Sequence, residues 1–213
     1  MVAVIGDLVR SRESPRRADT QRALLVALRR ANGHVPAVQQ LRSTIGDEFQ
    51  AIYADLADGL RATLLVHLLM RRSSDVRFGL GLGAVTVFDP AAQPVSQDGP
   101  AWWSARDAID DVKRAAHRQG HARTTRTRFK AAATENASTP NSSIVNAFLV
   151  LQDELVANLS DRASEMVALR IEGRTISEIG RSLNVSASAV SQALAKGGYA
   201  LVDAHARLEE VAT

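Results

Sequence analysis

Only Gly46 and Asp47 separate two short strand-like runs, 38–45 and 48–53. A gap that small leaves room for a β-hairpin and little else, so the two runs must pair antiparallel. That pair demands a sheet, and the flanking sequence has to supply its neighbours. Upstream lie an apolar run at 2–9 and a helical pattern at 15–32, with Pro15 at its start, Leu24, Leu25 and Leu28 on one side, and Asn32 and Gly33 to end it. Downstream come a helix at 57–72 carrying Leu60, Leu64, Leu68 and Leu69, a strand at 76–88, a helix at 100–118 and a strand at 123–130. In the 76–88 strand, glycines alternate with Phe78, Leu80 and Leu82, which leaves space for something to approach the backbone. The order β-α-β-β-α-β with an extra helix and strand predicts an α+β fold, a ferredoxin-like antiparallel sheet with helices on one face.

The chain has 213 residues, enough for one substantial domain and a smaller one. No apolar run approaches the ~20 residues of a membrane span. The start 1–5 is too short for a signal segment and lacks a basic lead, so a cytoplasmic protein with no membrane partner is expected. Cysteine is absent, which excludes disulfides and Cys-ligated zinc. Any metal should therefore be a hard cation held by carboxylates. Net charge is only +3, but 112–130 contains seven basic residues (Lys113, Arg114, Arg118, Arg123, Arg126, Arg128, Lys130) and no acidic one. Such a run is either a solvated face or an anion-binding surface.

In a β-α-β-β order the end of the first strand and the first hairpin lie at the same edge of the sheet. "VIGDLV" at 4–9 puts Asp7 there, and "TIGDEFQ" at 44–50 puts Asp47 there. Two converging carboxylates repel unless a cation lies between them, as in Mg²⁺-nucleotide sites. The alternative is that Asp47 serves only the backbone geometry of its turn.

The segments "VIGDLVRSR", "TIGDEFQAIY", "VRFGLGLG" and "DGPAWWSARDAI" together resemble the SatD family, small bacterial proteins whose core is similar to class III adenylate and guanylate cyclase domains. The resemblance runs along the whole chain. It implies that Asp7 and Asp47 hold Mg²⁺, that Gly6, Leu8, Val9, Arg10 and Gly46 lie against a nucleotide's phosphates, and that Arg106 replaces a transition-state arginine. It also implies lost turnover. The base-selecting lysine of cyclases has no counterpart in Arg42, Ser43 and Thr44, and a tryptophan, Trp102 or Trp103, falls near the expected transition-state asparagine. Without those groups the developing phosphate charge loses much of its stabilisation, while binding can survive. Trp102 and Trp103 read either as core or interface packing or as a platform for a nucleobase.

After the first domain, 1–130, the stretch 131–143 turns abruptly to small and polar residues and reads as a linker to a helical region at 144–213. A helix at 144–158 is apolar enough to pack or to dimerise. Ser160 caps a helix ending at Gly173, Thr175 or Ser177 starts a short one through Leu183, and Ser186 caps a third that runs to Lys196 and stops at Gly197 and Gly198. Two short helices across so small a turn have the geometry of a DNA-binding helix-turn-helix. Their outer face carries Ser188, Ser191, Gln192 and Lys196, with Arg174 and Ser186 beside it; glutamine can read adenine and serine can reach a base edge or phosphate. The motif resembles the DNA-binding regions of sigma factors and LuxR-type regulators. Residues 160–213 hold six basic and seven acidic side chains, so tight binding would need dimerisation or help from the 113–130 run.

The sequence reading is thus a transcriptional regulator, expected to be a homodimer on double-stranded DNA. Its degenerate cyclase-like domain would sense a nucleotide or cyclic dinucleotide. The rival reading is an active Mg²⁺-dependent nucleotidyl cyclase or related nucleotide enzyme with an appended helix-turn-helix. A third is a DNA-binding protein whose N-terminal domain only dimerises.

Overall fold

A computed structural model describes residues 1–9, 16–44, 46–92, 95–116, 123–133 and 139–212. The sheet begins with β1 (Val2–Leu8), followed by α1 (Arg17–Asn32), the hairpin β2 (Gln39–Ser43) and β3 (Glu48–Tyr53), α2 (Leu56–Met70) and β4 (Val76–Leu82). The hairpin closes where the Thr44 N–H donates to the Glu48 carbonyl at 2.9 Å, with Gly46 at φ +75° in the turn. The predicted strand at 76–88 stops at Leu82, and the chain then forms a separate small hairpin, β5 (Thr86–Asp89) and β6 (Ser96–Asp98). Helix α3 (Pro100–Ala115) leads to β7 (Thr127–Ala131).

The sheet order is β2-β3-β1-β4-β7. The first four strands are antiparallel to their neighbours, but β7 lies parallel to β4, so the sheet is mixed and not the purely antiparallel one expected. The cause is α3, a crossover helix that returns the chain to the start of β4's direction. Its placement also corrects the expectation of helices on one face. Val2, Val4 and Leu8 of β1 join the core with α1 and α2, whereas Ala3 and Ile5 pack with Ala101, Trp102, Ala105 and Ile109 of α3. The strand glycines explain how α3 fits there. A Cβ at Gly79 would come within 2.2 Å of the Ala105 carbonyl oxygen, and one at Gly81 within 2.1 Å of that of Ala101. The open backbone surface read from the sequence is filled by a helix of the same chain.

Side chains close both outer edges of the sheet. Asn32 accepts from the Leu41 N–H at 2.9 Å and donates to its carbonyl at 3.0 Å, standing in for a strand beside β2. Asn146 does the same for Phe129 of β7, at 2.9 and 2.8 Å. Such pairing occupies the backbone groups that invite edge-to-edge association.

Five further helices complete the chain: α4 (Ser142–Asn158), α5 (Asp161–Ile171), α6 (Ile176–Ser182), α7 (Ala187–Leu194) and α8 (Gly198–Ala212). Of the stretch expected as a linker, 131–143, residues 134–138 lie outside the described residues, while Ala131 ends β7 and Ser142 and Ser143 begin α4. Helix α2 is buried nearly all round because the sheet lies on one side and α5 and α8 on the other. One apolar core consequently runs from Val4 and Phe78 through Leu64 and Leu65 to Val167, Val190 and Leu201. Among the described residues no helix is long and apolar enough to cross a membrane.

Candidate functional site

The strand register decides which side chains meet. Asp7 of β1 lies opposite Glu48 of β3 and opposite Arg77 of β4. Alternation places all three on the face covered by α3. There the Arg77 guanidinium donates to both Asp7 oxygens, at 2.8 and 3.2 Å, and the Lys113 ammonium of α3 lies 3.1 Å from Asp7 Oδ2. Arg106, seven residues earlier on α3, forms a two-pronged pair with Glu48 at 2.7 and 2.9 Å. Burial pushes the Glu48 carboxyl up, but hydrogen bonds from Arg106 and Gln50 outweigh it and hold the group below its usual range. Asp7 is almost buried, while Arg106 stays partly open to solvent. Lys113 also lies 3.8 Å from Asp110, so three cations are interleaved with three carboxylates.

The two aspartates predicted as metal ligands do lie at one end of the sheet, Asp47 in the turn next to Glu48. In this structure the carboxylates of Asp7 and Glu48 are held by cationic side chains. Both Asp7 oxygens are engaged by Arg77 and Lys113, and both Glu48 oxygens by Arg106. Among the described residues no group of three or more His, Asp or Glu is gathered as a metal site. The predicted phosphate cradle also differs. Leu8 is a core residue, and the Val9 N–H is spent on the Asp75 carbonyl at 2.9 Å. Gly6 has its missing side chain replaced by the Phe49 ring, which a Cβ would approach within 2.2 Å. Gly46 is exposed, its carbonyl accepting from Gln21 at 3.4 Å, and Arg10 lies outside the described residues.

Sequence reasoning missed Arg77 and Lys113 and left Glu48 undirected. A signal for them existed. Glu48 follows from pairing the first strand with the hairpin, and Lys113 is two helical turns beyond Arg106 on the same face of α3. Part of the basic run containing Lys113 is paired with carboxylates, and its Arg118 lies outside the described residues. Arg114 and Lys130 both pair with Asp111, and Arg126 holds Asp75 through contacts of 2.9 and 2.7 Å.

The family model described as SatD family matches residues 1–202. This chain belongs to the SatD family. No curated protein and no solved structure matches it. In this SatD-family chain the face bearing Asp7 and Glu48 continues into an open groove beneath the β5–β6 hairpin. The hairpin is latched to β2 by a reciprocal amide pair between Gln39 and Gln97, at 2.7 and 3.0 Å. Trp102 and Trp103 part company at its floor: Trp102 is 8% exposed and packs under the sheet, whereas Trp103 is 59% exposed.

The second group of predicted residues lies on α6 and α7. Thr175 and Glu178 form a reciprocal capping box at the start of α6. Asn184, at φ +52°, turns the chain, and the Ser186 hydroxyl caps α7 by accepting from the Ala189 N–H at 3.1 Å. Gly180 lets the turn fold onto α6, since a Cβ there would lie 2.8 Å from the Val185 oxygen. Ile179, Val190 and Leu194 are buried between the helices. Ser188 and Gln192 are exposed on α7 and Lys196 in the turn just after it, Ser191 is half-buried and accepts from the Tyr199 hydroxyl at 3.3 Å, and Arg174 is exposed ahead of α6.

Proposed function

We propose that this protein is a DNA-binding transcriptional regulator whose sheet domain binds a nucleotide. The observation that carries the reading is the α6–α7 unit. Two short capped helices are joined by the four residues 183–186, their inner faces are buried, and the second presents Ser188 and Gln192 outward, with Lys196 exposed just past its end. That is what a helix-turn-helix needs to lay α7 in a major groove, with Gln192 at adenine edges and Arg174 and Ser186 near phosphates. Because α7 carries few charges, a homodimer on a two-fold site would supply the phosphate contacts that one copy lacks.

For the sheet domain, the connectivity β1-α1-β2-β3-α2-β4 in the order β2-β3-β1-β4 supports the ferredoxin-like, cyclase-related reading. Arg77, Arg106 and Lys113 are the cations that a nucleotide's phosphates would take over from Asp7, Glu48 and Asp110. A ligand here can set DNA affinity only through different affinities for two arrangements of the molecule.

The test is selection of genomic DNA fragments by the purified protein at about 150 mM salt, where nonspecific phosphate binding is weakened. Enrichment of a pseudo-palindromic sequence supports a dimeric regulator. No enrichment, with or without ATP, GTP or a cyclic dinucleotide, overturns it. The rival enzyme reading draws on the facing of Asp7 and Glu48 beside Asp47. It requires Lys113 to leave Asp7 to a divalent cation. Product from ATP or GTP with Mg²⁺ or Mn²⁺, lost in Asp7→Ala and Asp47→Ala, would support that rival, and its absence in the wild type would remove it.

A further inference from the structure

The groove under the β5–β6 hairpin has a compartment of about 460 Å³ whose lining includes Trp102, Trp103, Gln50, Gln97, Arg106 and Asp107. Two facts about its tryptophans stand out. The Trp103 ring is largely exposed, yet its orientation is fixed, because its Nε1–H donates to Asp98 Oδ1 at 2.7 Å. A large aromatic held rigid and open to solvent is a stacking surface in waiting. Trp102, by contrast, is buried, and its indole N–H has no hydrogen-bond partner among the described residues. That atom is out of solvent contact, so Trp102 serves as a wall of the compartment and Trp103 as its open aromatic face.

The remaining lining adds direction. Gln50 and Gln97 bring amides, which can meet both donors and acceptors on the edge of a planar ring. Arg106 belongs both to this compartment and to the Glu48 pair, so the compartment opens onto the Asp7, Arg77 and Lys113 cluster. A second compartment of about 700 Å³ shares Gln50 and Gln97 and extends along β2 to Arg42. Its described lining contains no carboxylate, which favours a neutral or anionic ligand.

We propose that the compartment at Trp102 and Trp103 receives a planar heterocyclic base, stacked on Trp103 with its polar edge toward Gln50 and Gln97, while the attached phosphates lie toward Arg106 and Lys113. This rests on the nucleotide-binding reading and specifies it: the sheet domain selects nucleotides by their base and not by phosphate charge alone. The selectivity comes from α3 and the β5–β6 hairpin, not from the turn at Gly46.

The full-length protein is titrated with ATP, GTP and inorganic tripolyphosphate, following tryptophan fluorescence and heat. At least one nucleotide should bind about 10-fold or more tightly than tripolyphosphate, with quenching that Trp103→Ala abolishes. Trp103→Ala should remove the nucleotide's advantage while leaving tripolyphosphate affinity unchanged. If ATP, GTP and tripolyphosphate bind equally, the base pocket is overturned while phosphate binding by the cluster stands. If none of the three binds, both the pocket and the nucleotide reading fall. Equal nucleotide affinity in wild type and Trp103→Ala also overturns the pocket, and circular dichroism of this surface variant excludes misfolding as the cause.

Discussion

Single polar residues do several distinct jobs in this chain, and Asp153 of α4 carries the heaviest load. Fully buried, it accepts backbone N–H groups from Arg126 at 2.6 Å and Thr127 at 2.8 Å and the Thr127 hydroxyl at 3.1 Å, so it fastens α4 to the start of β7. The ring of His67 on α2 approaches it at 3.8 Å. Burial pushes the Asp153 carboxyl up to about 7 from an ordinary 3.8, against the pull of those donors. In the folded chain it therefore keeps a proton that the unfolded chain has lost, and its stabilising contribution is complete below 3.8 and gone once the pH has risen through about 7. Burial pushes His67 and His205 down to about 4, which acts in the opposite sense, with stability present above 6.5 and lost as pH falls through 4. Removing the acid should isolate its part. The melting temperature of Asp153→Asn, relative to wild type, should climb from pH 4 to pH 7 and level off above, as read by thermal denaturation across that range. A flat difference would show that Asp153 does not titrate there.

At the scale of elements, the proposed function rests on two helices, α3 and α7. Helix α3 can approach β4 because Gly79 and Gly81 have no side chain and Ala101 and Ala105 have small ones. Gly79→Ala should destabilise the fold by about 3 kcal/mol, at the upper end for overpacking, since the atoms in the way are α3 backbone. Urea denaturation measures this, and a cost below about 0.5 kcal/mol would mean that α3 can lift from the sheet. The same lifting would separate Arg106 and Lys113 from Glu48 and Asp7, so the variant should also weaken tripolyphosphate binding. Helix α7 predicts a different pattern. Gln192 is exposed and makes no packing contribution, so Gln192→Ala should leave the melting temperature unchanged. On a selected operator it should cost about 10-fold in affinity, with little change on random DNA. A uniform loss on both would assign Gln192 to the phosphate backbone instead.

On the scale of the whole molecule, the sheet and the C-terminal helices behave as one body. Arg30 of α1 pairs with the buried Glu172 at the end of α5 at 2.6 Å. From α2, Arg61 donates to the Ile171 carbonyl at 2.8 Å and Arg71 to those of Ala157 and Leu159 at 3.3 and 3.1 Å. With the shared core, these ties predict a single cooperative transition. Tryptophan emission, which arises only from Trp102 and Trp103 on α3, should coincide in urea with far-ultraviolet circular dichroism, which reports every helix. Separate midpoints would show that the helical region unfolds by itself. Local signals in the sequence determined the elements and their ends. Gly46 and Asp47 dictated the hairpin, Pro100 the start of α3, and Thr175, Ser186 and Asn184 the boundaries around α7, because caps and turns act over a few residues. The meeting of Asp7 with the hairpin was legible for the same reason, since strand alternation carries it. The β5–β6 hairpin was not: its strands are short and exposed, so no apolar period marks them. Only the tertiary structure decided that β7 runs parallel to β4, that α3 takes the opposite face, and that Arg77 and Lys113 occupy Asp7. Those outcomes depend on contacts between residues 26 to 106 positions apart, from Gly79 with Ala105 to Asp7 with Lys113, which no local window samples.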